Sequence, residues 1–243
     1  MKTAVILGAK SDIAKAIAIK LATRKVNLVL AARHSIELEP LKESLQSKYN
    51  VKVTLEELDA LAYDTHEKFC QNLPLDTDAV FCVFGYLGDQ RKAETYPPEM
   101  FQIIETNFVG AVSLLEIMAS KFEKNKHGVI VGISSVAGER GRQSNYFYGS
   151  SKAAFSAYLS GLRNRLYKSK VQVITVKPGY VKTRMTEQLQ LPPLISTSTE
   201  VVAKSILKAI DNNKSEIYVP GIWRGIMCFV KLIPEFVFKR MNL

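Results

Sequence analysis

The sequence predicts an α/β fold, a single domain built on a doubly wound parallel sheet. Three observations carry that expectation. Short apolar, β-prone runs recur at 4–7, 27–32, 51–58, 78–84, 128–135, 171–178 and 216–220. Segments of helical periodicity lie between them, at 12–24, 36–48, 65–72, 99–123, 148–168 and 199–212, and strands that alternate with helices call for a parallel sheet covered on both faces. No internal repeat, low-complexity tract or long linker divides the 243 residues, a length sufficient for one well-buried core.

The first run, "TAVIL", leads into "GAKSDIA" at 8–14 and then into a helical pattern. A strand, a tight turn and a helix in that order suit a dinucleotide. Gly8 supplies the sharp turn, and Lys10, Ser11, Asp12 and Ile13 complete it. Asp12 and Ala14 stand where such a turn keeps glycines. Ala14 is small enough to let the helix pack closely, and Asp12 is placed to cap the helix. The Asp12 charge opposes a pyrophosphate, and Lys10 and Lys15 are the nearest cations in sequence to offset it. The apolar start resembles a signal peptide only briefly, because Lys10 and Asp12 end it without a cleavage-like site.

The second run ends "VLAARH". An acid here would take a ribose 2′-hydroxyl; Ala32 and Arg33 occupy the place instead. The guanidinium fork suits a 2′-phosphate, so NADP is expected over NAD, the plain alternative being a solvated surface arginine. The fifth run ends at Ser135. The helix expected over 148–168 carries Tyr148 and Lys152 at i and i+4, on one face. The sixth run continues into "KPGYVKT", and Thr197 with Glu200 forms a capping-box pattern for the helix over 199–212.

Composition narrows the function. Apolar content of 47% with 23% charged residues is that of a globular protein. A net charge of +10 favours an anionic partner: a phosphorylated cofactor or substrate, or an acidic membrane face. The basic residues form no dense stripe, so nucleic acid is not expected. The three cysteines have no metal-site or disulfide spacing, and no metal is expected. No run of about 18 uninterrupted apolar residues predicts a membrane span.

The spacing Ser-x12-Tyr-x3-Lys, set after two βαβ units and before "KPGYVKT", resembles the short-chain dehydrogenase/reductase family over nearly the whole chain. The resemblance implies a Rossmann-type domain over 1–220, with a substrate loop at 180–198. It implies an active centre of Asn107 (in "IETNFVGA"), Ser135, Tyr148 and Lys152. It also implies that Asp59 meets the adenine, that Gly85 lies beside the cofactor, and that Pro178, Gly179, Val181 and Thr183 close over the nicotinamide. NADPH is the implied cofactor, a keto compound the substrate, and a homo-oligomer the assembly. Leu7 and "CVFG" (82–85) depart from the usual Thr and Asn-Asn-Ala-Gly.

A narrower likeness, carried by "FGYLGD", "SSVAGERGRQSNYFYGSSKA", "KPGYVKTRMT" and "LIPEFVFKRMNL", is to the subgroup containing decaprenylphosphoryl-2-keto-ribose reductases. It implies reduction of a polyprenyl-phosphate-linked keto-sugar in cell-envelope synthesis, with a flavin oxidase as partner. Arg140, Arg142 and Arg184 are then candidates to meet the phosphodiester, against a solvated basic loop as the alternative. Residues 221–243 read as an amphipathic segment with Arg224, Lys231, Glu235 and Lys239 along one polar stripe and Pro234 dividing it. Such a segment suits an anionic membrane surface, a cover over the substrate cleft or a subunit contact. The expected location is the cytoplasm, peripherally at the inner face of the cell membrane. Two other readings stay open: a general reductase of hydrophobic ketones or acyl compounds, and a non-catalytic dinucleotide-binding protein.

Overall fold

All five residues of Thr3–Leu7 (β1) are buried, as in a strand covered on both faces. It is an interior strand of the sheet in a computed structural model that describes residues 1–187 and 192–241. The other strands are Asn27–Ala32 (β2), Val53–Glu57 (β3), Thr77–Cys82 (β4), Gly128–Ile133 (β5), Val171–Pro178 (β6), Tyr180–Val181 (β7), Ser196–Thr197 (β8) and Glu216–Val219 (β9). Seven of them form one parallel sheet in the order β3-β2-β1-β4-β5-β6-β9, while β7 and β8 pair separately. Side chains alternate along β1: Ala4 and Ile6 join one core, Val5 and Leu7 the other.

The helices are Asp12–Thr23 (α1), Glu39–Tyr49 (α2), His66–Asn72 (α3), Gln90–Thr95 (α4), Pro97–Ile104 (α5), Gly110–Asn125 (α6), Tyr146–Leu166 (α7), Thr199–Asp211 (α8), Ile222–Leu232 (α9) and Glu235–Phe238 (α10). α1 and α8 cover one face through Ile17, Leu21, Val202 and Ile206. α6 and α7 cover the other through Leu114, Phe122, Phe155 and Leu159. The connection order reverses between β1 and β4, which opens a crevice beyond the carboxyl ends of the strands.

Several expectations need correction. The helix expected over 99–123 is two helices, joined by a π-helical turn at Glu105–Val109 that holds Asn107. β4 stops at Cys82 rather than 84; Val83 N–H makes the last bond to β1, on Leu7 O at 2.9 Å, and beyond it the chain leaves the sheet. Ser198, not Thr197, caps α8. α4 is too short for periodicity to reveal; it is set by Asp89, whose carboxylate accepts from Lys92 N–H at 3.0 Å. By length and composition Pro97–Asn125 could cross a membrane, against expectation, yet its buried Ile103, Leu114, Leu115, Met118 and Phe122 make it a core helix here. Of the expected substrate loop, 188–191 lie outside the described residues, as do 242–243 of the tail.

Candidate active site

The crevice is a single cleft of about 1130 Å³ that runs from the turn after β1 to the start of α7 and the inner face of α9. At one end Gly8 adopts φ +81°, where a Cβ would press on Phe84 and the Val83 carbonyl carbon at 3.1 Å. A side chain there would be strained twice over. Ala14 is 1% exposed and closes α1 onto the sheet, as its size allows. Gly8, Lys10, Ser11, Asp12, Ile13 and Gly85 all line the cleft.

Asp12 does not cap α1: Ser11 holds the cap position. The Asp12 carboxylate instead accepts from Arg184 backbone N–H at 2.9 Å and from Arg184 Nε at 3.0 Å, while Arg184 Nη2 donates to Lys10 O at 2.6 Å. Arg184 therefore offsets Asp12, a task the sequence suggested for Lys10 and Lys15. Lys10 is turned to Glu37 at 2.6 Å. Arg184 lines the cleft and is bound there to the turn after β1.

Arg33 is exposed at the end of β2 and lines the same end. Its turn is shaped by Glu57, whose carboxylate accepts from the backbone N–H of His34 and Ser35 at 2.7 and 2.9 Å; those two bonds hold the Glu57 carboxyl below the usual range. Asp59 lies beside it. Fully buried His66 fixes that corner. Its Nε2 donates to Asp59 O at 3.1 Å, which leaves Nδ1 to accept from the Ser113 hydroxyl at 2.9 Å.

Ser135, Tyr148 and Lys152 meet in the middle of the cleft. Lys152 is 2% exposed and donates to Phe84 O at 3.0 Å and Ile133 O at 3.1 Å. Burial pulls its ammonium down to about 8. Burial pushes the Tyr148 phenol up to about 12, against the hydrogen bond from Ser135. Lys152 was expected to lower that phenol. Here its Nζ is committed to two carbonyls, 5.7 Å from the Tyr148 ring centroid, and desolvation wins. Tyr148 is thus protonated at neutral pH, the state a proton donor needs. Asn107, 1% exposed, lies behind the cleft wall, where its amide donates to Tyr86 O at 2.7 Å and Ile103 O at 2.8 Å. Pro178, Gly179, Val181 and Thr183 line the rim, and Gly179 is pressed against the Trp223 indole, with no room for a Cβ.

The arginines divide. Arg142 lines the cleft, with its Nε buried and lacking a hydrogen-bond partner among the described residues. Arg140 does not. It donates to Val230 O and Ile233 O, both at 2.6 Å, pairs with Glu235 and lies 3.8 Å from the Phe238 ring centroid. Arg140 is a clamp for the tail, so its expected contact with substrate is withdrawn. The tail is also held by Lys231 on buried Glu139 at 2.6 Å. Pro234 divides the expected segment into α9 and α10, and the stripe residues Arg224, Lys231, Glu235 and Lys239 are all exposed, although Lys231 and Glu235 also pair with Glu139 and Arg140. Trp223 and Met227 are buried, while Phe229, Leu232 and Phe236 are 63–75% exposed.

A family profile described as short chain dehydrogenase matches residues 2–193. The chain belongs to that family. An oxidoreductase of Mycobacterium tuberculosis is 35% identical over 242 residues, covering 98% of this chain and 96% of its own. A short-chain dehydrogenase from Sphingobium yanoikuyae, solved in complex with NADPH, superposes with TM-score 0.83 at 20% identity over 97% of both chains. The bulky-bulky ketone specific alcohol dehydrogenase from Comamonas testosteroni does so with TM-score 0.80 at 19% identity, covering 97% of this chain and 96% of that one. The short-chain dehydrogenase is accordingly an NAD(P)-dependent oxidoreductase, and the non-catalytic reading is set aside. Glu57, His66, Tyr86, Glu99 and Trp223 escaped sequence reasoning, since each acts through a partner far along the chain.

Proposed function

We propose that this short-chain dehydrogenase reduces the keto group of a lipid-linked keto-sugar with NADPH. The observation that carries the reductase reading is the meeting of Ser135, Tyr148 and Lys152 on one cleft. The residues at its other end fit a phosphorylated dinucleotide: a glycine turn that no Cβ could share, an aspartate neutralised by Arg184, and an exposed Arg33 for a 2′-phosphate. Gly8, Ser11, Ile13, Arg33, Asp59 and Gly85 would hold the cofactor, with Pro178, Gly179, Val181 and Thr183 at its nicotinamide end. When bound, NADPH supplies the hydride.

The chain's own groups supply the rest. The Ser135 hydroxyl donates to the substrate carbonyl oxygen and stabilises the charge developing there. Tyr148 passes its phenolic proton to the same oxygen. The Lys152 ammonium, held by Phe84 O and Ile133 O at 5.7 Å from the Tyr148 ring centroid, offers a cation near the phenolate left behind. Asn107 anchors the backbone beside Lys152.

For the substrate, support comes from the resemblance and from two local features. Arg142 lines the cleft and brings a guanidinium charge there for an anionic group. The exposed Phe229, Leu232 and Phe236, next to exposed Arg224, Lys239 and Arg240, suit an acidic lipid surface at the cytoplasmic face. Residues 1–220 then carry cofactor and chemistry, while 221–243 wall the substrate end and meet lipid. The ketone itself has to come from oxidation of a sugar hydroxyl, a step that suits a flavin oxidase partner. A second reading, reduction of bulky apolar ketones, is favoured by Leu87, Met185 and Trp223 in the cleft wall. The test is NADPH oxidation with matched ketones that carry or lack a phosphodiester head group. A preference for the phosphodiester supports the first reading and its absence the second. No oxidation with any ketone refutes both.

A further inference from the structure

The segment 84–90, which leads from β4 into α4, is tied down at four of its seven residues. Phe84 O accepts from Lys152 Nζ at 3.0 Å. Tyr86 N–H donates to Asn107 Oδ1 at 3.2 Å, and Tyr86 O accepts from Asn107 Nδ2 at 2.7 Å. The Tyr86 hydroxyl donates to Glu99 Oε1 at 2.7 Å, and Asp89 N–H donates to the same oxygen at 3.1 Å. Gln90 Oε1 accepts from the backbone N–H of Phe147, next to Tyr148, at 3.2 Å. Gly85, Leu87, Gly88 and Gln90 of this segment face the cleft.

Glu99 is the anchor of that set. Its side chain is 4% exposed, and Lys92 Nζ meets Oε2 at 3.1 Å. A buried carboxylate is retained only when its oxygens are satisfied, and here three donors from the segment and α4 satisfy both, two on Oε1 and one on Oε2. Gly88 sits in between at φ +68°, where a Cβ would fall 2.5 Å from Ile103 and 3.0 Å from Glu99 Oε1. The backbone at 86–89 therefore has one seat, and Glu99 holds it.

We propose that Glu99, acting through Tyr86, is a positioning residue: it fixes the 84–90 segment and thereby the Asn107 side chain, the carbonyl that seats Lys152, and the substrate side of the cleft. Without the carboxylate, Tyr86 and Asp89 lose their shared acceptor and the segment loosens between its Lys152 and Gln90 ties. Small displacements of groups that aim a reactant cost rate steeply. This rests on the ketoreductase reading above.

The test uses the full chain with Glu99→Ala, Glu99→Gln and Tyr86→Phe. Amide hydrogen exchange is read over 84–90, NADPH affinity by its fluorescence, and kcat and KM with ethyl benzoylformate as the ketone probe. Exchange over 84–90 should rise about tenfold or more in Glu99→Ala and Tyr86→Phe, while the Kd for NADPH rises less than kcat falls, because Gly85 is the one proposed cofactor-holding residue inside the segment. Their kcat should fall about tenfold or more with a smaller change in KM. Glu99→Gln keeps an acceptor for Tyr86 and Asp89 and should restore both readouts. Unchanged exchange in Glu99→Ala and Tyr86→Phe overturns the proposal, as does unchanged kcat. Raised exchange with a wild-type chain that reduces no ketone leaves the positioning role standing and overturns the ketoreductase reading instead. Should Glu99→Ala fail to fold, Tyr86→Phe and Glu99→Gln carry the same comparison.

Discussion

Removing the Arg184 guanidinium asks how a phosphate turn tolerates an aspartate. Arg184 Nε meets Asp12 Oδ1 at 3.0 Å, and the two side chains are 64% and 27% exposed. A pair this open is worth about 0.2–1 kcal/mol. The added bond from Arg184 Nη2 to Lys10 O places it at the upper end, about 1 kcal/mol, or roughly fivefold in a binding constant. In wild type the Asp12 charge is matched. In Arg184→Ala it faces the proposed pyrophosphate site unmatched, so the Kd for NADPH should rise about fivefold. In an Asp12→Asn background the same change should cost less than about twofold, since no charge is left to unmask. The assay is titration of NADPH fluorescence across the four proteins of the cycle, at about 50 mM and about 500 mM salt. The coupling should shrink at the higher salt. Equal losses from Arg184→Ala in both backgrounds would refute the idea that Arg184 is there to neutralise Asp12.

The remaining predictions address the chemistry and the tail. Tyr148→Phe keeps the ring and removes the proton, so turnover should fall about a hundredfold or more with NADPH binding retained; near-normal turnover would mean the wrong proton donor. Arg33→Ala should erase a preference for NADPH over NADH, read as the ratio of the two Kd values, and equal affinities in wild type would sink the 2′-phosphate assignment. The Lys152 ammonium lies at about 8 in the folded chain against 10.5 free, so the unfolded chain binds more protons between those values and wild-type stability should rise with pH across that window, by up to ~3 kcal/mol. Lys152→Met lacks the effect, so urea unfolding should show its stability relative to wild type falling as pH climbs from 8 to 10.5; a constant difference would contradict the buried charge. Replacing exposed Phe229, Leu232 and Phe236 by Ser spares the buried Trp223 and Met227 and should abolish co-sedimentation with anionic vesicles, whereas wild type staying in the supernatant under all conditions would end the membrane proposal.

What was legible in the sequence has a physical rule behind it. The seven sheet strands rest on short apolar, β-prone runs and the six expected helical segments on a period of 3.6, and both signals are local. Tyr148 and Lys152 were found for the same reason: four residues apart, they share a face of α7. The pairing of Arg184 was missed because its partner Asp12 is 172 positions away, and no periodicity carries that distance. Arg140 shows the same limit in reverse. Its loop looked like a solvated basic patch or a phosphate contact, yet the guanidinium is spent on Val230, Ile233 and Glu235, ninety or more residues on. The tail then follows from the clamp rather than from its own pattern. Since Arg140 and Glu139 hold α9 against the rim, Trp223 and Met227 must face inward, and the exposed set is what the two anchors leave over: Phe229, Leu232 and Phe236. Lys231 stays half exposed, as the moment of an isolated amphipathic helix would place it, but its ammonium leans onto the buried carboxylate of Glu139 at 2.6 Å. Long-range ion pairs thus help decide which face of a legible helix the protein shows, and here that choice puts Trp223 into the wall of the cleft.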